Sequence, residues 1–463
     1  MNPVRSRGFT SNRVNCGEIA VAIIKVKDNN PVAAIQELLR SMLSQGLVSA
    51  VLVPQEIPSS KTVVQTLVRD PAKLGAVNPL APVFGVNSAR IVAKMCIDQM
   101  VQAPVGVDEV QEPEQEQEPG QEQGQEQERQ AGSPDAEDKA SAQEEGQASE
   151  QGQDDSKQQG PVETPSASEQ QPAGGDGQSG PAPIALVLRP CEIRALVELV
   201  KLQQASMDPF LIIGVDCWGT YSVEEYAAKA KGSGDSSVTA DFLKQVTAGN
   251  LPEEVRGACR ICQYPAPTYA DVAIQLIGDD INQQIHLQAQ SEKGKELFAA
   301  LGLEDTPESG EREKALAKLK DDKKQLAGQD QVDFLEIISS LCINCHNCRA
   351  VCPICYCKRC VFEGEVFKYP LEKYLNLSGK KGFLCMPPDK LLFHLTRMSH
   401  VATSCVACGQ CEAACPNGIP LGQIYHKIST AAQEALGYEA GRSLDDELPL
   451  TTFREDELSV VEN

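Results

Sequence analysis

The stretches CINCHNCRAVCP, from Cys342 to Pro353, and CVACGQCEAACP, from Cys405 to Pro416, decide how the C-terminal part of the chain folds. Both follow the spacing Cys-x2-Cys-x2-Cys-x3-Cys-Pro. Three thiolates at this spacing can bind one iron–sulfur cubane, and the fourth, before proline, reaches the neighbouring cubane. The repeat therefore predicts two [4Fe–4S] clusters in a small α+β ferredoxin-like domain, with zinc as a much weaker alternative. One cluster would be held by Cys342, Cys345, Cys348 and Cys415, and the other by Cys352, Cys405, Cys408 and Cys411.

Four further cysteines lie in the interval between the two runs. The sequence CPICYCKRC, from Cys352 to Cys360, is followed by one more cysteine in FLCMPP. We expect these spare side chains to hold a further iron–sulfur cluster or a zinc ion, and structural thiols are the alternative. His346, inside the first run, is expected to be solvated or to pack rather than to bind metal, and Cys16 and Cys96 are expected to be plain buried residues. The spare cysteines are Cys355, Cys357, Cys360 and Cys385.

Upstream of these runs, apolar strand patterns alternate with helical patterns, which indicates an α/β domain. Glu18–Lys27 has a strand pattern, a segment with apolar residues at helical spacing follows it, and Leu47–Val53 is a second strand. Such a β-α-β unit normally has parallel strands. The alternation resumes with strands at Ile184–Leu188 and Phe210–Val215 on either side of a helix over Glu192–Gln204.

Two cysteines follow two successive strands of this predicted domain. Cys191 lies at the start of the helix after Ile184–Leu188, and Cys217 comes just after Phe210–Val215. Successive parallel strands end on the same edge of a sheet, where ligands of open α/β sheets bind. A helix N-terminus is also expected to favour the thiolate form of a cysteine. With a later Cys-x2-Cys pair they make the four thiolates of one [4Fe–4S] cluster, the alternatives being zinc or core thiols beside an incidental pair. These four residues are Cys191, Cys217, Cys259 and Cys262.

Between the two halves of this domain the composition changes abruptly to Gln, Glu, Gly, Ser and Pro. From Asp108 to Gly180 there are 20 acidic and three basic residues, so this segment carries −17 of the formal net charge of −23. Such a segment cannot bury enough apolar surface to become ordered, so we expect a disordered linker that splits one α/β domain. A solvated spacer is the favoured role, and an interaction tether is the alternative.

The composition of the 463 residues excludes several classes of protein. The acidic balance argues against nucleic-acid binding, and no apolar run approaches the ~20 residues of a membrane helix. The N-terminal residues lack the apolar core of a secretory signal, so 18 cysteines indicate metal binding in the reducing cytoplasm. The predicted segments are the two halves of the α/β domain at 1–103 and 184–305, the linker at 104–183, a helical connector at 306–332, the dicluster domain at 333–440 and an acidic tail at 441–463.

Four further motifs follow one another in the second half of the α/β domain. They are VLRPCEIRALVEL (Val187–Leu199), IIGVDCWG (Ile212–Gly219), ACRICQYPAPTYADVAIQLIG (Ala258–Gly278) and SEKGKELF (Ser291–Phe298). In this order they resemble the coenzyme F420 hydrogenase/dehydrogenase beta-subunit family, in its formate dehydrogenase beta-subunit-like branch. The resemblance covers roughly residues 15–100 and 184–305. The position of the dicluster domain and the long acidic insertion depart from the commoner arrangement of the family.

The resemblance implies an FAD cofactor and gives the domain its own [4Fe–4S] cluster on Cys191, Cys217, Cys259 and Cys262. It implies an electron-transfer subunit of an anaerobic complex, beside a partner such as a molybdenum or tungsten formate dehydrogenase alpha subunit, a hydrogenase or a heterodisulfide-reductase-like complex. Pro79–Arg90 departs from the family's flavin-side segment, so FAD-binding residues stay unassigned. The terminal two-electron carrier, a deazaflavin, NAD(P) or a protein, stays open. The alternative function is a flavin-free electron wire whose α/β domain only docks partners.

Overall fold

The computed structural model describes residues 20–57, 61–102, 182–232, 237–307, 310–329, 333–367, 370–383 and 389–451. All of them belong to a single compact unit. The predicted linker over 104–183 falls almost wholly outside these residues.

Seven strands and fourteen α-helices are described within these ranges. The strands are β1 (Ala20–Lys25), β2 (Ala50–Ile57), β3 (Thr62–Val68), β4 (Ile184–Leu188), β5 (Phe210–Val215), β6 (Val272–Gln275) and β7 (Gln284–Ala289). The helices are α1 (Pro31–Ser44), α2 (Ser88–Gln102), α3 (Pro190–Lys201), α4 (Val223–Gly232), α5 (Val238–Thr247), α6 (Gly257–Arg260), α7 (Glu292–Leu301), α8 (Glu311–Gln329), α9 (Phe334–Leu341), α10 (Asn347–Ala350), α11 (Leu371–Lys381), α12 (Asp389–Val401), α13 (Gln410–Ala413) and α14 (Leu421–Ala435). Short 3-10 helices cover Pro71–Ala76, Val361–Glu363, Glu365–Phe367 and Ala402–Ser404.

The strands form one mixed sheet in the order β1-β7-β6-β5-β4-β2-β3. Neighbouring strands β6, β5, β4 and β2 are parallel, whereas β3 and β7 run antiparallel to them. Because β1 is antiparallel to β7, it runs in the same direction as β2, as predicted. Four strands nevertheless lie between β1 and β2, so the two are not neighbours. Periodicity in the sequence indicates a strand but not its partner.

The sheet joins the two halves of the predicted α/β domain. β2 pairs with β4 across the insertion, beginning with Ala50 opposite Ile184. β1 pairs with β7, with Ala20 opposite Ala289. Strands from both sides of the insertion therefore complete one mixed α/β sheet, which agrees with the prediction of a single split domain.

Side chains of the central strands alternate between two apolar cores, one on each face of the sheet. In β5, Leu211, Ile213 and Val215 enter the first core, and Phe210 and Ile212 enter the second. Because successive side chains of a strand point to opposite faces, both faces need helices to cover them. α1, α5 and α7 contribute to the first core, and α2 and α3 contribute to the second.

The cysteine-rich C-terminal part differs from the prediction. Its described residues between 333 and 440 form helices, 3-10 segments and loops, with no strand among them. α9, α12 and α14 surround an apolar core that contains Ile338, Phe393 and Tyr425. The expected α+β arrangement is therefore wrong for this described part, because the interval between the cysteine runs forms α11 and α12 instead of strands.

The predicted connector segment contains helix α8, and part of the predicted acidic tail is held against α3. Glu292–Leu301 forms α7 and Glu311–Gln329 forms α8, with Gly310 between the two helices. After residue 440, the Gly441 N–H donates a hydrogen bond to Glu198 Oε1 at 2.7 Å. Leu448 also packs against the second core. Burial of these contacts on α3 orders the chain as far as the described residue 451.

Candidate iron–sulfur centres

Each cysteine run folds into a loop followed by a single helical turn, α10 or α13. The second and fourth residues after the first cysteine have a positive φ in both runs. These angles are 58° and 59° at Asn344 and His346, and 54° and 67° at Ala407 and Gly409. In the first run the turn lets the Asn344 N–H donate to Cys342 Sγ at 3.4 Å. The shared spacing of the two runs thus produces one shared backbone conformation.

The first thiol set surrounds one small cavity in the C-terminal part. Its four members line this cavity together with Phe393 and Pro416. Burial raises the pKa of Cys348 to about 11, with the Arg397 charge opposing this rise and the neighbouring thiolates adding to it. The members of the first thiol set are Cys342, Cys345, Cys348 and Cys415.

The second thiol set combines one cysteine of the first run with three of the second. Burial, followed by the thiolate of Cys352, raises the pKa of Cys408 to about 12. The Cys352 thiolate also adds to the raised pKa of Cys405 and of Cys411, in which burial is the main cause. Cys352 therefore lies among the cysteines of the second run, which is the placement that an exchange of fourth ligands requires. The set comprises Cys352, Cys405, Cys408 and Cys411.

The third thiol set lies at the carboxyl edge of the sheet. Cys191 is the second residue of α3, which follows β4, and Cys217 is the second residue after β5. Cys259 belongs to α6, and Cys262 follows that helix. Burial raises the pKa of Cys217 to about 11, with the Arg189 charge opposing and the thiolates of Cys259 and Cys262 adding to the rise. Four thiols that are far apart in sequence are thus neighbours.

The surroundings of Cys191 oppose its thiolate form. Burial raises the pKa of this thiol well above its usual value, and the adjacent Glu192 carboxylate adds to the effect. Glu192 is held there by the N–H groups of Arg189, at 2.9 Å, and Ser88, at 3.0 Å. Burial and the fixed carboxylate therefore act against the thiolate form that the helix N-terminus is expected to favour.

The second and third thiol sets are joined by the side chain of Arg256. Its Nη2 lies 3.1 Å from Cys259 Sγ and 3.3 Å from the carbonyl oxygen of Cys408. Its Nε donates to Thr220 Oγ1 at 3.1 Å. Burial alone would lower the pKa of Arg256, but the thiolates of Cys259, Cys191 and Cys408 outweigh it and raise that pKa. One guanidinium therefore acts on both sets.

A second buried arginine lies between the first and second sets. The charge of Arg397, on α12, opposes the raised pKa of Cys348 in the first set and of Cys411 in the second. Its guanidinium lies 4.5 Å from the centre of the Tyr425 ring. A hydrogen bond from Cys355 is the main cause of the lowered pKa of Cys352, and the Arg397 charge lowers this pKa further.

Unpartnered N–H groups test whether these thiol sets fit iron–sulfur clusters. Within the described residues, Arg256 Nη1, Arg397 Nε and Arg397 Nη1 are buried and have no hydrogen-bond partner. A buried donor without an acceptor is costly, so such groups are expected to have a partner. The sulfurs of a bound cubane are acceptors of the required kind, and the thiol sets supply four thiolates for each. The residues present therefore fit these cofactors.

The spare cysteines are not gathered into a site within the described part. Cys355 lies beside Cys352, whereas Cys357 is exposed and Cys360 precedes a 3-10 helix. Cys385 lies outside the described residues. No three His, Cys, Asp or Glu side chains that the structure describes converge closely enough to hold a single metal ion. A mononuclear zinc site gains no support from these residues, whereas a cubane needs no such convergence because its thiolates bind different irons.

Two residues that were expected to pack do so. Cys96 is buried in the second core. The His346 ring stacks on Phe393, with the ring centres 4.2 Å apart. Cys16 lies outside the described residues.

Sequence reasoning missed charged residues that hold the third set in place. Asp216, next to Cys217, forms a buried bidentate ion pair with Arg312 of α8, at 2.5 and 2.9 Å. Lys323, also on α8 and also buried, donates to the carbonyl oxygen of Trp218 at 2.6 Å. α8 therefore fixes the loop that carries Cys217. The position of Asp216 directly after a buried strand could have indicated its role from sequence. Its partner Arg312 could not be predicted, because the two are far apart in the sequence.

Comparison with known proteins relates this arrangement to a family. Residues 182–313 match the family described as the C terminus of the beta subunit of coenzyme F420 hydrogenase/dehydrogenase, and residues 338–419 match the 4Fe–4S dicluster domain. The chain is 30% identical to the F420-dependent formate dehydrogenase subunit beta of Methanocaldococcus jannaschii over 310 residues, or 58% of this chain and 75% of the relative. This chain belongs to the coenzyme F420 hydrogenase/dehydrogenase beta-subunit family. The resemblance seen in the motifs is thus confirmed, and the chain is an oxidoreductase subunit.

Another relative and a solved structure are also similar to this member of the beta-subunit family. The F420-dependent formate dehydrogenase 1 subunit beta of Methanococcus maripaludis is 30% identical over 310 residues, with 58% of this chain and 75% of the relative covered. A chain of the F420-reducing [NiFe] hydrogenase complex from Methanosarcina barkeri is 9% identical, with 67% of this chain and 91% of that chain covered. Its TM-score of 0.39 is too low to support an argument. Among the described helices, none is both long and apolar enough to cross a membrane.

Proposed function

We propose that this chain is the electron-transfer beta subunit of an anaerobic, formate dehydrogenase-like complex. In this proposal each of the three thiol sets holds one [4Fe–4S] cluster. The observation that carries the proposal is the order of the sets in one compact unit. Arg397 lies between the first and second sets, and Arg256 between the second and third. Redox centres arranged in such a series are suited to moving single electrons across a protein.

In this proposal the cofactors supply the redox chemistry, and the chain positions them and sets their potentials. When bound, the clusters would carry single electrons. FAD would take up two electrons as a hydride and release them one at a time, or the reverse. The chain keeps the metal-binding thiols in buried surroundings and offers hydrogen bonds to sulfur, which together set reduction potentials. Arg256, Arg397 and the Thr220 hydroxyl, 3.5 Å from Cys259 Sγ, are such groups.

We include FAD because the chain belongs to this family, and the residues that would bind it stay unassigned. Pro79–Arg90 departs from the family's flavin-side segment. Part of this segment lines a small cavity together with Cys217 and Trp218. The cavity lies at the carboxyl end of β5, the edge where ligands of open α/β sheets bind. A cofactor at this edge would be next to the third thiol set.

The proposed partner is a catalytic oxidoreductase subunit. The matched relatives are named as subunits of F420-dependent formate dehydrogenases. Of the 15 large apolar side chains that the described residues leave exposed, ten lie within residues 335–395, the part of the chain that also contains Cys342, Cys345 and Cys348. Leu371 and Phe383 are the most exposed of these, at 69% and 63%. Exposed apolar residues in such number favour contact with a partner at this end of the series.

The test is anaerobic purification from the native host, with iron, flavin and associated subunits measured together. We expect about twelve irons per chain, at four per cubane, one FAD and a stoichiometric catalytic subunit. Cys191→Ser should lower the iron content to about eight, because the third set loses a ligand. Cys96→Ser is the matched control, because Cys96 is also buried but belongs to no thiol set, and it should keep the full iron content.

Other iron and flavin contents would change the number or the kind of cofactors in the proposal. Iron without any flavin would favour the flavin-free electron wire. About sixteen irons would assign a fourth cluster to the spare cysteines, and about eight in the unmodified chain would remove the third cluster. Absence of iron would overturn the proposal as a whole.

A further inference from the structure

We infer that Arg256 and Arg397 are positioning residues that hold one positive charge at each junction between successive clusters and raise the reduction potentials of the clusters on both sides. This inference rests on the proposed function, because it assumes that the thiol sets are loaded. It assigns to each arginine a pair of clusters whose potentials it sets. The two pairs share the cluster of the second thiol set.

Arg256 is placed for this role by contacts on both sides of its guanidinium. One nitrogen reaches Cys259 Sγ in the third set and the backbone of Cys408 in the second. The flat face of the guanidinium lies 4.5 Å from the Phe84 ring centre, which keeps water from that side. Its Nη1 is buried without a partner, so a donor remains for sulfur.

Arg397 is placed at the other junction by its burial and by its charge, which acts on Cys348 of the first set and on Cys411 of the second. It is 3% exposed and lies on α12, in the part of the chain whose core contains Cys348 and Cys411. The Tyr425 ring covers one face of its guanidinium at 4.5 Å. Two of its nitrogens, Nε and Nη1, are buried without a partner.

Within the described part of the chain, the other two buried arginines, Arg194 and Arg312, leave no buried guanidinium nitrogen without a partner, which sets Arg256 and Arg397 apart. Arg312 forms a bidentate ion pair with Asp216. Arg194 donates to the carbonyl oxygens of Ala440 and Val406. No ion pair to a carboxylate is found for Arg256 or Arg397 among the described residues. Glu412 acts on Arg256 only at longer range, and a buried cation without a directly bonded counter-charge is costly, so an anionic group is expected beside each arginine.

The direction of the effect follows from charge. A cluster with four thiolate ligands is anionic and becomes more so when it takes up an electron. A nearby buried cation therefore stabilises the reduced form more than the oxidised form, and the low effective dielectric of the interior strengthens this difference. Removing the cation should favour the oxidised form by at least about tenfold, which for one electron is a potential lower by about 59 mV.

The experiment is a potentiometric titration of the anaerobically purified complex, followed by electron paramagnetic resonance of the reduced clusters. Arg256→Gln should lower the potentials of the second and third clusters and leave the first within error. Arg397→Gln should lower those of the first and second and leave the third. Arg256→Lys and Arg397→Lys keep the charge, and each should stay within about threefold of the unmodified equilibrium. Arg40→Gln, on the exposed side of α1, removes an equal charge far from the thiols and should move none.

The outcomes separate this inference from the proposed function. An unmodified chain without iron overturns both. Full iron content with potentials unmoved in either glutamine variant overturns only the inference for that arginine. If a glutamine variant fails to retain iron, the reduction potentials of the lysine variant at the same position are used to test the inference. A tenfold shift in an iron-loaded lysine variant means that shape, and not charge, sets the potential.

Discussion

Asp216 and Arg312 show how a single charged pair supports the third thiol set. Both carboxylate oxygens accept from the guanidinium, and Asp216 Oδ2 also accepts from the N–H groups of Leu276 and Ile277 at 2.9 and 3.0 Å. The carboxylate has no solvent-exposed surface. Removing one member of such a pair leaves the other charge buried and unpaired.

Asp216→Asn is therefore expected to destabilise the protein by about 3–5 kcal/mol. The measurement is the melting temperature of the anaerobic protein, which should fall clearly below that of the unmodified chain. Glu37→Gln is the matched control, because Glu37 pairs with Arg40 on the surface of α1 and is 66% exposed. Exposed pairs contribute about 0–1 kcal/mol, so the control should melt almost normally. Equal melting of the two variants would show that the buried pair does not hold the loop of Cys217.

At the scale of elements, α3 organises both the third thiol set and the C-terminal segment. Its N-terminal turn carries Cys191, and its next turn carries Arg194, which is buried. Arg194 Nε and Nη2 donate to the Ala440 carbonyl at 3.0 and 2.7 Å. Glu198, one turn further, accepts from the Gly441 N–H. The C-terminal segment is thus fixed along one face of the helix.

Arg194→Met is expected to loosen this segment without unfolding the sheet. Methionine keeps the apolar stem but donates no hydrogen bond, so the Gly441 amide should exchange its hydrogen faster by roughly tenfold or more, since local opening becomes easier. The amide of Ile213 in β5 should exchange as before. Arg442→Gln, which removes a neighbouring exposed ion pair with Asp446, should leave Gly441 unchanged. Unaltered exchange at Gly441 in the methionine variant would contradict the role of Arg194.

The elements also show what sequence could and could not predict. β4 and β5 were predicted with the bounds they have, because an apolar run between turn residues is a local property. β3 and β7 were not predicted, although Gln284–Ala289 alternates polar and apolar residues as a half-buried strand does. The positions of the cysteines in the sequence were enough to predict the members of each thiol set. No spacing rule relates Arg256 or Arg397 to thiols from other segments, so the two were missed.

At the scale of the whole molecule, the α/β domain and the cysteine-rich part are packed together without a gap. A Cβ atom on Gly409 would lie 2.3 Å from the Ala258 Cβ, and one on Gly422 would lie 2.9 Å from it. Gly409 also has a φ of 67°, which glycine adopts without strain. The Gln410 side chain donates to the Gly85 carbonyl across the same contact. This packing keeps the second and third thiol sets adjacent.

Ala258→Leu should force these two parts of the molecule apart. Overpacking costs about 1–3 kcal/mol, so the melting temperature should fall by several degrees. Ala431→Leu adds the same atoms on the exposed side of α14 and should change stability by about 0.5 kcal/mol at most. Differential scanning calorimetry of both variants under anaerobic conditions makes the comparison. A leucine at 258 that melts like the control would mean that the contact is loose.

The pairing of β1 with β7 has a consequence for how the protein is made on the ribosome. Lys25 lies opposite Gln284, so about 260 residues must be translated before the first strand meets its neighbour. At about 5–20 residues per second this delay is roughly 13–50 s. During that time an apolar strand has a free edge, which invites association with other nascent chains. Newly made copies of this protein should therefore depend on a chaperone until the seventh strand emerges.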